Sequence, residues 1–365
     1  MANPSSNFLF KRANVRTNNR IVLAAMTNKQ SHADGRISKN EINWLVRRAK
    51  GSFGIVTTAA THISEDGQGW KGEFGLFHDK FIDRLSLLTQ SIKYYDSLIL
   101  AQLFHGGMRS PEHLTGSQPI SASRINCKES KSGYTRKASE NDIKRIIEEF
   151  TSAAVRCVEA GFSGVELHGA HGYLISQFLS KTINNRNDRW GGDIYGRSQF
   201  LFAIFDSIKK NVPDDFIVGI RLSPEIHELD ISLDDSIELL KKIRLLDVDF
   251  IHLSCWDVYA LSSTYPNDPK RLTEWFTHSI DNLPPIISTG NIWSSEDAKN
   301  VMHQGADFVG VARVAIAYPD WAKNIENTSY NPQKGPFTIQ QLKEAQLSTP
   351  FINYMRKWKG FVEDE

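Results

Sequence analysis

Ala49–Val56 (AKGSFGIV), Glu159–Leu167 (EAGFSGVEL) and His303–Val311 (HQGADFVGV) decide the fold. Each reads as the end of a helix, a glycine, and then a β-branched or aliphatic strand. Gly51, Gly161 and Gly305 stand where a helix turns into the left-handed region that glycine enters without a Cβ clash. Outward from these joints, eight short apolar runs recur: Ile21–Met26, Gly54–Ala60, Leu98–Leu103, Gly164–His168, Ile217–Leu222, Asp249–Cys255, Pro285–Thr289 and Asp307–Ala312. Most are continuously apolar rather than alternating, the pattern of strands covered on both faces. Helical stretches lie between them. Ser38/Glu41, Ser139/Asp142, Ser232/Asp235 and Ser294/Asp297 have capping-box spacing, in which a hydroxyl and an acid three residues on satisfy the first free amides. Strands alternating with helices predict an α/β fold, a (β/α)8 TIM barrel; a doubly wound sheet is the alternative. The widest interval, the polar stretch Met108–Ser139, predicts a long surface excursion after the third strand. A tail beyond Trp321 holds one more helix from Thr338 and then FINYMRKWKGF. No linker-like segment divides the chain, so residues 1–365 read as a single domain.

Composition narrows the function. Forty-three Lys and Arg against 42 Asp and Glu leave a net charge of +1, no basis for nucleic acid or an anionic membrane as partner. The longest apolar runs are six residues, far short of the ~20 of a membrane-spanning helix. The N-terminal MANPSSNFLFKR lacks the apolar core of a signal peptide, which predicts a cytoplasmic protein. Cys127, Cys157 and Cys255 are far apart, with no CxxC. They predict free thiols rather than a disulfide framework, a zinc ribbon or an iron–sulfur cluster.

A barrel places its active site at the C-terminal ends of its strands. The polar residues there are Thr27, Gln102, His168 with His171 and Tyr173, Arg221, Ser254-Cys255-Trp256, Gly290-Asn291 and Ala312-Arg313. No Lys stands at a strand end for a Schiff base. Glu166 on the fourth strand has no facing carboxylate on the seventh for glycoside hydrolysis. His168 and His171 lack further metal ligands, so no metal is expected. An amide, a guanidinium, two imidazoles and a phenol remain. Such a set binds something planar and polar, stabilises negative charge and moves one proton, leaving redox chemistry to a cofactor. The turns STGN and GVAR suit a phosphate. Glu166 is expected to pair with Arg221, and Trp256 either shapes the pocket or covers the barrel.

His168–Gly192, HGAHGYLISQFLSKTINNRNDRWGG, resembles the signature of the Old Yellow Enzyme family of flavin-dependent ene-reductases. NRIVLAAMTN (19–28), AQLFHGGMRS (101–110) and ISTGN…VGVARVAIAYPDW (287–321) are similar in the same order, so the resemblance spans nearly the whole chain. It implies non-covalent FMN in a (β/α)8 barrel, NAD(P)H as reductant, and substrates whose carbon–carbon double bond is activated by a carbonyl or nitro group. It implies that Thr27 hydrogen-bonds the flavin C4 carbonyl, that Ala59 or its neighbour Ala60 contacts the ring through the backbone, and that Gln102 pairs with the pyrimidine edge. Arg221 would lie beside N1 and O2; Gly290, Ala312 and Arg313 would clamp the phosphate. His168 and His171 would bind the substrate carbonyl, and Tyr173 would donate the proton. Two positions depart from the family pattern: Ala25 stands where a Pro is usual, and Ala312-Arg313 where Gly-Arg is usual. Larger relatives carry a cysteine cluster and an added nucleotide-binding domain; the cysteine count here fits the single-barrel form. The tail helix offers a surface for a homo-oligomer. Two other readings stay open at this level: a flavin-free phosphate-binding isomerase or lyase barrel, and an inactive barrel serving as a binding scaffold.

Overall fold

The computed structural model describes residues 3–363. Among them, eight parallel strands close into one barrel. In chain order they are β1 (Ile21–Leu23), β2 (Ile55–His62), β3 (Leu98–Phe104), β4 (Gly164–Gly169), β5 (Ile217–Leu222), β6 (Phe250–Ser254), β7 (Ile286–Thr289) and β8 (Phe308–Val311). Each pairs with its sequence neighbours, and β8 closes on β1. The strands are buried along nearly their whole length, as the continuous apolar runs require. Helices α1 (Lys39–Lys50), α2 (Ile82–Lys93), α3 (Glu140–Glu159), α4 (Ile194–Lys209), α5 (Leu233–Ile243), α6 (Leu272–Thr277), α7 (Ser295–His303) and α8 (Arg313–Ala317) follow the successive strands.

The helix starts are built largely as their spacing predicts. Ser139 with Asp142 and Ser294 with Asp297 form complete capping boxes. At α1 only half the box forms. Ser38 accepts the Glu41 amide, but the Glu41 carboxylate turns inward to Asn28 Nδ2, 2.7 Å away, and to the Ser31 hydroxyl. Burial pushes that carboxyl up to about 7. At α5, Ser232 accepts the Asp235 amide while the Asp235 carboxylate pairs with Lys181 and Arg197. Gly161 and Gly305 do adopt φ of +81° and +90°. Gly51 does not: its φ is −82°, and Ser52 takes the left-handed place at +69°. Glycine is needed at 51 for space, since a Cβ there would lie 1.8 Å from the Pro319 carbonyl oxygen.

An antiparallel hairpin, Phe8–Phe10 with Val15–Thr17, plugs the barrel's N-terminal end. Its Phe10 stacks on Phe308 at 5.5 Å and joins an apolar layer with Val22, Ile55, Leu100, Ile217 and Phe250. This layer fills the bottom of the barrel and leaves the polar upper layer to the site. The excursion after β3 is partly buried rather than purely a surface loop. Ser121, Ala122, Thr135 and Ala138 are inaccessible, and the buried Arg186 guanidinium donates to the Ala122 and Ala138 carbonyls.

Candidate active site

The upper interior layer is a hydrogen-bonded chain across four strands. Gln102 and Glu166 are register partners on β3 and β4, and Gln102 Nε2 donates to Glu166 Oε1 at 2.6 Å. His252 Nδ1 is 2.6 Å from Glu166 Oε2, and His252 Nε2 is 2.7 Å from Thr289 Oγ1. The consistent assignment has Nδ1–H donating to the carboxylate and Nε2 accepting the threonine hydroxyl proton. Burial works to raise the Glu166 carboxyl, but His252, Arg221 and Gln102 outweigh it and hold the group below the usual carboxylate range. Burial lowers His252, which is therefore neutral at pH 7.

Arg221 does not pair with Glu166, contrary to expectation; no ion pair joins them among the described residues. The strand pleat explains this. Arg221 is the register partner of His168, two residues beyond Glu166, so it lies one step higher in the barrel. Its Nη2 donates to Ser254 Oγ at 3.1 Å and its Nη1 to the Ala25 carbonyl at 3.3 Å. Its Nε is buried with no protein partner. Glu166 acts on it only through space.

Above this layer lies a cavity of about 260 Å³ at the C-terminal ends of the strands. Thr27, Gln102, His168, His171, Tyr173, Arg221, Gly290, Ala312 and Arg313 all line it. Ala59 does not; its neighbour Ala60 does. The β2–β3 register shifts between Thr57 and Ala60, and the Ala59 carbonyl is taken by the Thr58 and Thr61 hydroxyls. Gly290 lacks a side chain because the backbone of Trp256 and Asp257 approaches: a Cβ would meet both at 2.8 Å. Arg313 is exposed at the mouth, its Nη2 3.1 Å from Asn291 Oδ1.

The histidines and tyrosine converge. His171 and Gly172 have φ of +61° and +78°, a pair of left-handed residues that brings Tyr173 back over the barrel. The His168 ring centroid is 5.1 Å from His171 and 4.8 Å from Tyr173. The Ala170 amide donates to His168 Nδ1 at 3.3 Å, which leaves the proton on Nε2. Burial, helped by the Arg221 and Arg109 cations and, for His168, by His171, lowers both histidines well below the usual range, so both are neutral at pH 7. Burial raises the Tyr173 phenol, which keeps its proton. Phe104 meets the Tyr173 ring edge-on at 4.5 Å.

Several lining residues went unseen in the sequence. Trp70 comes from the β2–α2 loop, and Tyr354, Met355 and Trp358 come from the tail, which folds over its own barrel mouth. Tyr354 hydrogen-bonds Thr27. The tail aromatics divide: Phe351 is buried while Tyr354 and Trp358, four residues apart, face the cavity. Trp256, at φ +57°, is 71 % exposed and lines the cavity beside His171, 5.9 Å between ring centroids. Ser254 Oγ lies 2.8 Å from His171 Nε2. Cys255 turns away to Thr273 and Ser288, and burial pushes its thiol up to about 11, which leaves it inert as a nucleophile. No group of three or more His, Cys, Asp or Glu suited to a metal occurs among the described residues, and no helix there is long and apolar enough to cross a membrane.

Residues 10–331 match the model of the NADH:flavin oxidoreductase / NADH oxidase family. The chain is 32% identical to the probable NADH-dependent flavin oxidoreductase YqiG of Bacillus subtilis, over 87% of this chain and 86% of that protein. It is 33% identical to the NADH:acrylate oxidoreductase of Vibrio harveyi over 93% of its own length, but spans only 35% of that larger protein. Among solved structures it superposes on the Old Yellow Enzyme homologue of Zymomonas mobilis with a TM-score of 0.80 at 24% identity, covering 93% and 96% of the two chains. The chain belongs to the NADH:flavin oxidoreductase family, the family of Old Yellow Enzyme. It is an oxidoreductase, and its cofactors are FMN and a reduced nicotinamide nucleotide. The cavity fits a flavin chemically. A buried guanidinium N–H has no protein partner, the Gln102 amide has committed only its Nε2, and a second guanidinium stands at the mouth for a phosphate.

Proposed function

We propose that this protein is an FMN-dependent ene-reductase, taking hydride from NAD(P)H and reducing carbon–carbon double bonds activated by a carbonyl or nitro group. The convergence of His168, His171 and Tyr173 above the Gln102–Arg221 floor carries the reading. When bound, FMN accepts hydride from the nicotinamide and passes it to the alkene. Thr27, the Ala60 backbone, Gln102 and Arg221 would hold the isoalloxazine; Gly290, Ala312 and Arg313 would receive the phosphate. His168 donates through Nε2 to the substrate oxygen. His171, once turned from Ser254, donates beside it. Both are uncharged donors aimed where negative charge grows, so they favour the enolate-like state over the ground state. Tyr173 keeps its proton at neutral pH and delivers it to the α-carbon. Trp70, Trp256 and Trp358 cover the mouth and exclude water. Three free, buried thiols agree with a reducing, cytoplasmic setting.

The reading is supported by a relative named for acrylate, itself an alkene next to a carboxyl carbon. Its test is anaerobic. NADH or NADPH should bleach the oxidised-flavin absorbance of the purified protein, and cyclohexenone should restore it with formation of cyclohexanone. Recovery only on admitting oxygen would refute it.

A further inference from the structure

A second cavity, of about 370 Å³, opens beside the first and shares the Trp70 and Tyr173 walls with it. Its outer wall comes from the excursion after β3 and carries Arg109 and Lys128 against one acid, Glu129. Arg109 sits at the join. Its guanidinium lies over the Tyr173 ring, 4.5 Å from the centroid, and its Nη1 donates to the His171 carbonyl at 2.6 Å. It thus touches two of the three residues assigned to the chemistry. Neither Arg109 nor Lys128 has a carboxylate partner within ion-pair distance among the described residues. Arg109 Nε and Nη2 are uncommitted, and together they form the edge that matches a carboxylate bidentately. The flavin-facing cations, Arg221 and Arg313, line the first cavity only.

We infer that Arg109, with Lys128 behind it, is an anion subsite for the substrate, and that the alkenes reduced here carry a carboxylate. The inference rests on the ene-reductase reading and names its substrate class. The carboxylate sits at the join of the cavities while the activating carbonyl faces His168 and His171. A cation fixed by the His171 carbonyl and the Tyr173 ring ties the anion's position to the proton donor.

Monomethyl fumarate and dimethyl fumarate test it, one carrying a carboxylate and the other neutral. Each is mixed anaerobically with the NADH-reduced holoenzyme, and flavin reoxidation is followed by stopped flow. The wild type should favour the monoanion, and the preference should shrink as salt is raised. Arg109→Gln should lower the ratio of second-order rate constants, monoanion over neutral, by about ten- to a hundredfold, the loss of one charge-assisted contact. Arg109→Lys should fall between. Because a ratio is read, any general effect of the variant on Tyr173 cancels. Equilibrium titration of the oxidised holoenzyme with monomethyl succinate, a saturated anion, should show a weaker Kd in Arg109→Gln without any turnover. An unchanged ratio and Kd would overturn the inference, as would a loss confined to the Kd of NADH, which would assign the cation to the nucleotide phosphates. A wild type inert to both esters and to cyclohexenone would refute the alkene-reducing reading itself.

Discussion

Glu166→Gln is the most informative change beneath the site. The carboxylate accepts from Gln102 Nε2 and from His252 Nδ1, each at 2.6 Å, in a fully buried layer. Glutamine keeps the shape but offers one acceptor and one donor to two donating neighbours. One N–H must then face another, or the Gln102 amide must flip and show the cavity a donor where it now shows an acceptor, or His252 must move its proton to Nε2 and reverse its bond with Thr289. Each charge-assisted bond contributes ~1.5–3 kcal/mol. Removing one member of a buried charged cluster typically costs ~3–5 kcal/mol, since the Arg221 cation stays behind. At ~3 kcal/mol, and an unfolding entropy of ~2.1 cal/mol/K per residue over 365 residues, the Tm of the apoprotein should fall by about 4 °C. The sign of the pH dependence follows from the lowered Glu166 carboxyl. Its stabilisation is complete above the unfolded carboxylate's ~4.3 and is lost as pH falls through the lower folded value. The gap between wild type and variant should therefore be full at pH 7 and close on acidification. FMN affinity, read by quenching of flavin fluorescence, should fall about tenfold or more for one mismatched buried donor. An apoprotein Tm and an FMN affinity both equal to the wild type's at pH 7 would refute the role given to this layer.

Removing either imidazole, by His168→Ala or His171→Ala, should abolish the long-wavelength band that phenolates give over oxidised flavin, as loss of a donor to an oxyanion costs about 2.7–4 kcal/mol; titration with a substituted phenol checks it. Arg313→Ala should weaken FMN binding about tenfold, the lower end for a charge-assisted contact at an exposed mouth, and leave the far-ultraviolet circular dichroism unchanged. Gly310→Ala places a Cβ 1.8 Å from Thr289 Oγ1 and must push that hydroxyl off His252; a loss of ~1–3 kcal/mol is expected in urea unfolding, partly recovered in the double variant with Thr289→Ala.

What was legible in the sequence was what repeats or clusters locally. The eight strands and the helix–glycine joints recur with period and capping chemistry, and the barrel follows from them. His168, His171 and Tyr173 fall within six residues at a strand end, where topology alone places them at the mouth. Gln102 and Arg221 were legible as polar residues ending apolar strands. What was not legible depends on contacts between distant segments. The hairpin at Phe8–Thr17 looks like any short apolar start until the barrel bottom is there to be plugged. Tyr354 and Trp358 lie about 180 residues after the histidines, beyond the reach of any local pattern. His252 shares a strand face with Ser254, so its inward direction was readable; its role between Glu166 and Thr289 needed three other strands. The expected Arg221–Glu166 pair failed for a related reason, since the register that lifts Arg221 beside His168 is fixed by β4–β5 pairing and not by either strand alone.

In the proposed mechanism one pocket takes hydride from a nicotinamide and uses Tyr173 as the acid for alkene reduction. Stopped-flow measurement of the two half-reactions in Tyr173→Phe tests it most directly. Flavin reduction by NAD(P)H needs no proton from the phenol, whereas enone reduction needs one at the α-carbon. The expected result is near-normal flavin reduction with enone-driven reoxidation slowed by ~10²–10⁴-fold, and a smaller effect with a nitroalkene, whose nitronate product is stable without immediate protonation. Equal slowing of both half-reactions, or no slowing of either, would contradict the account.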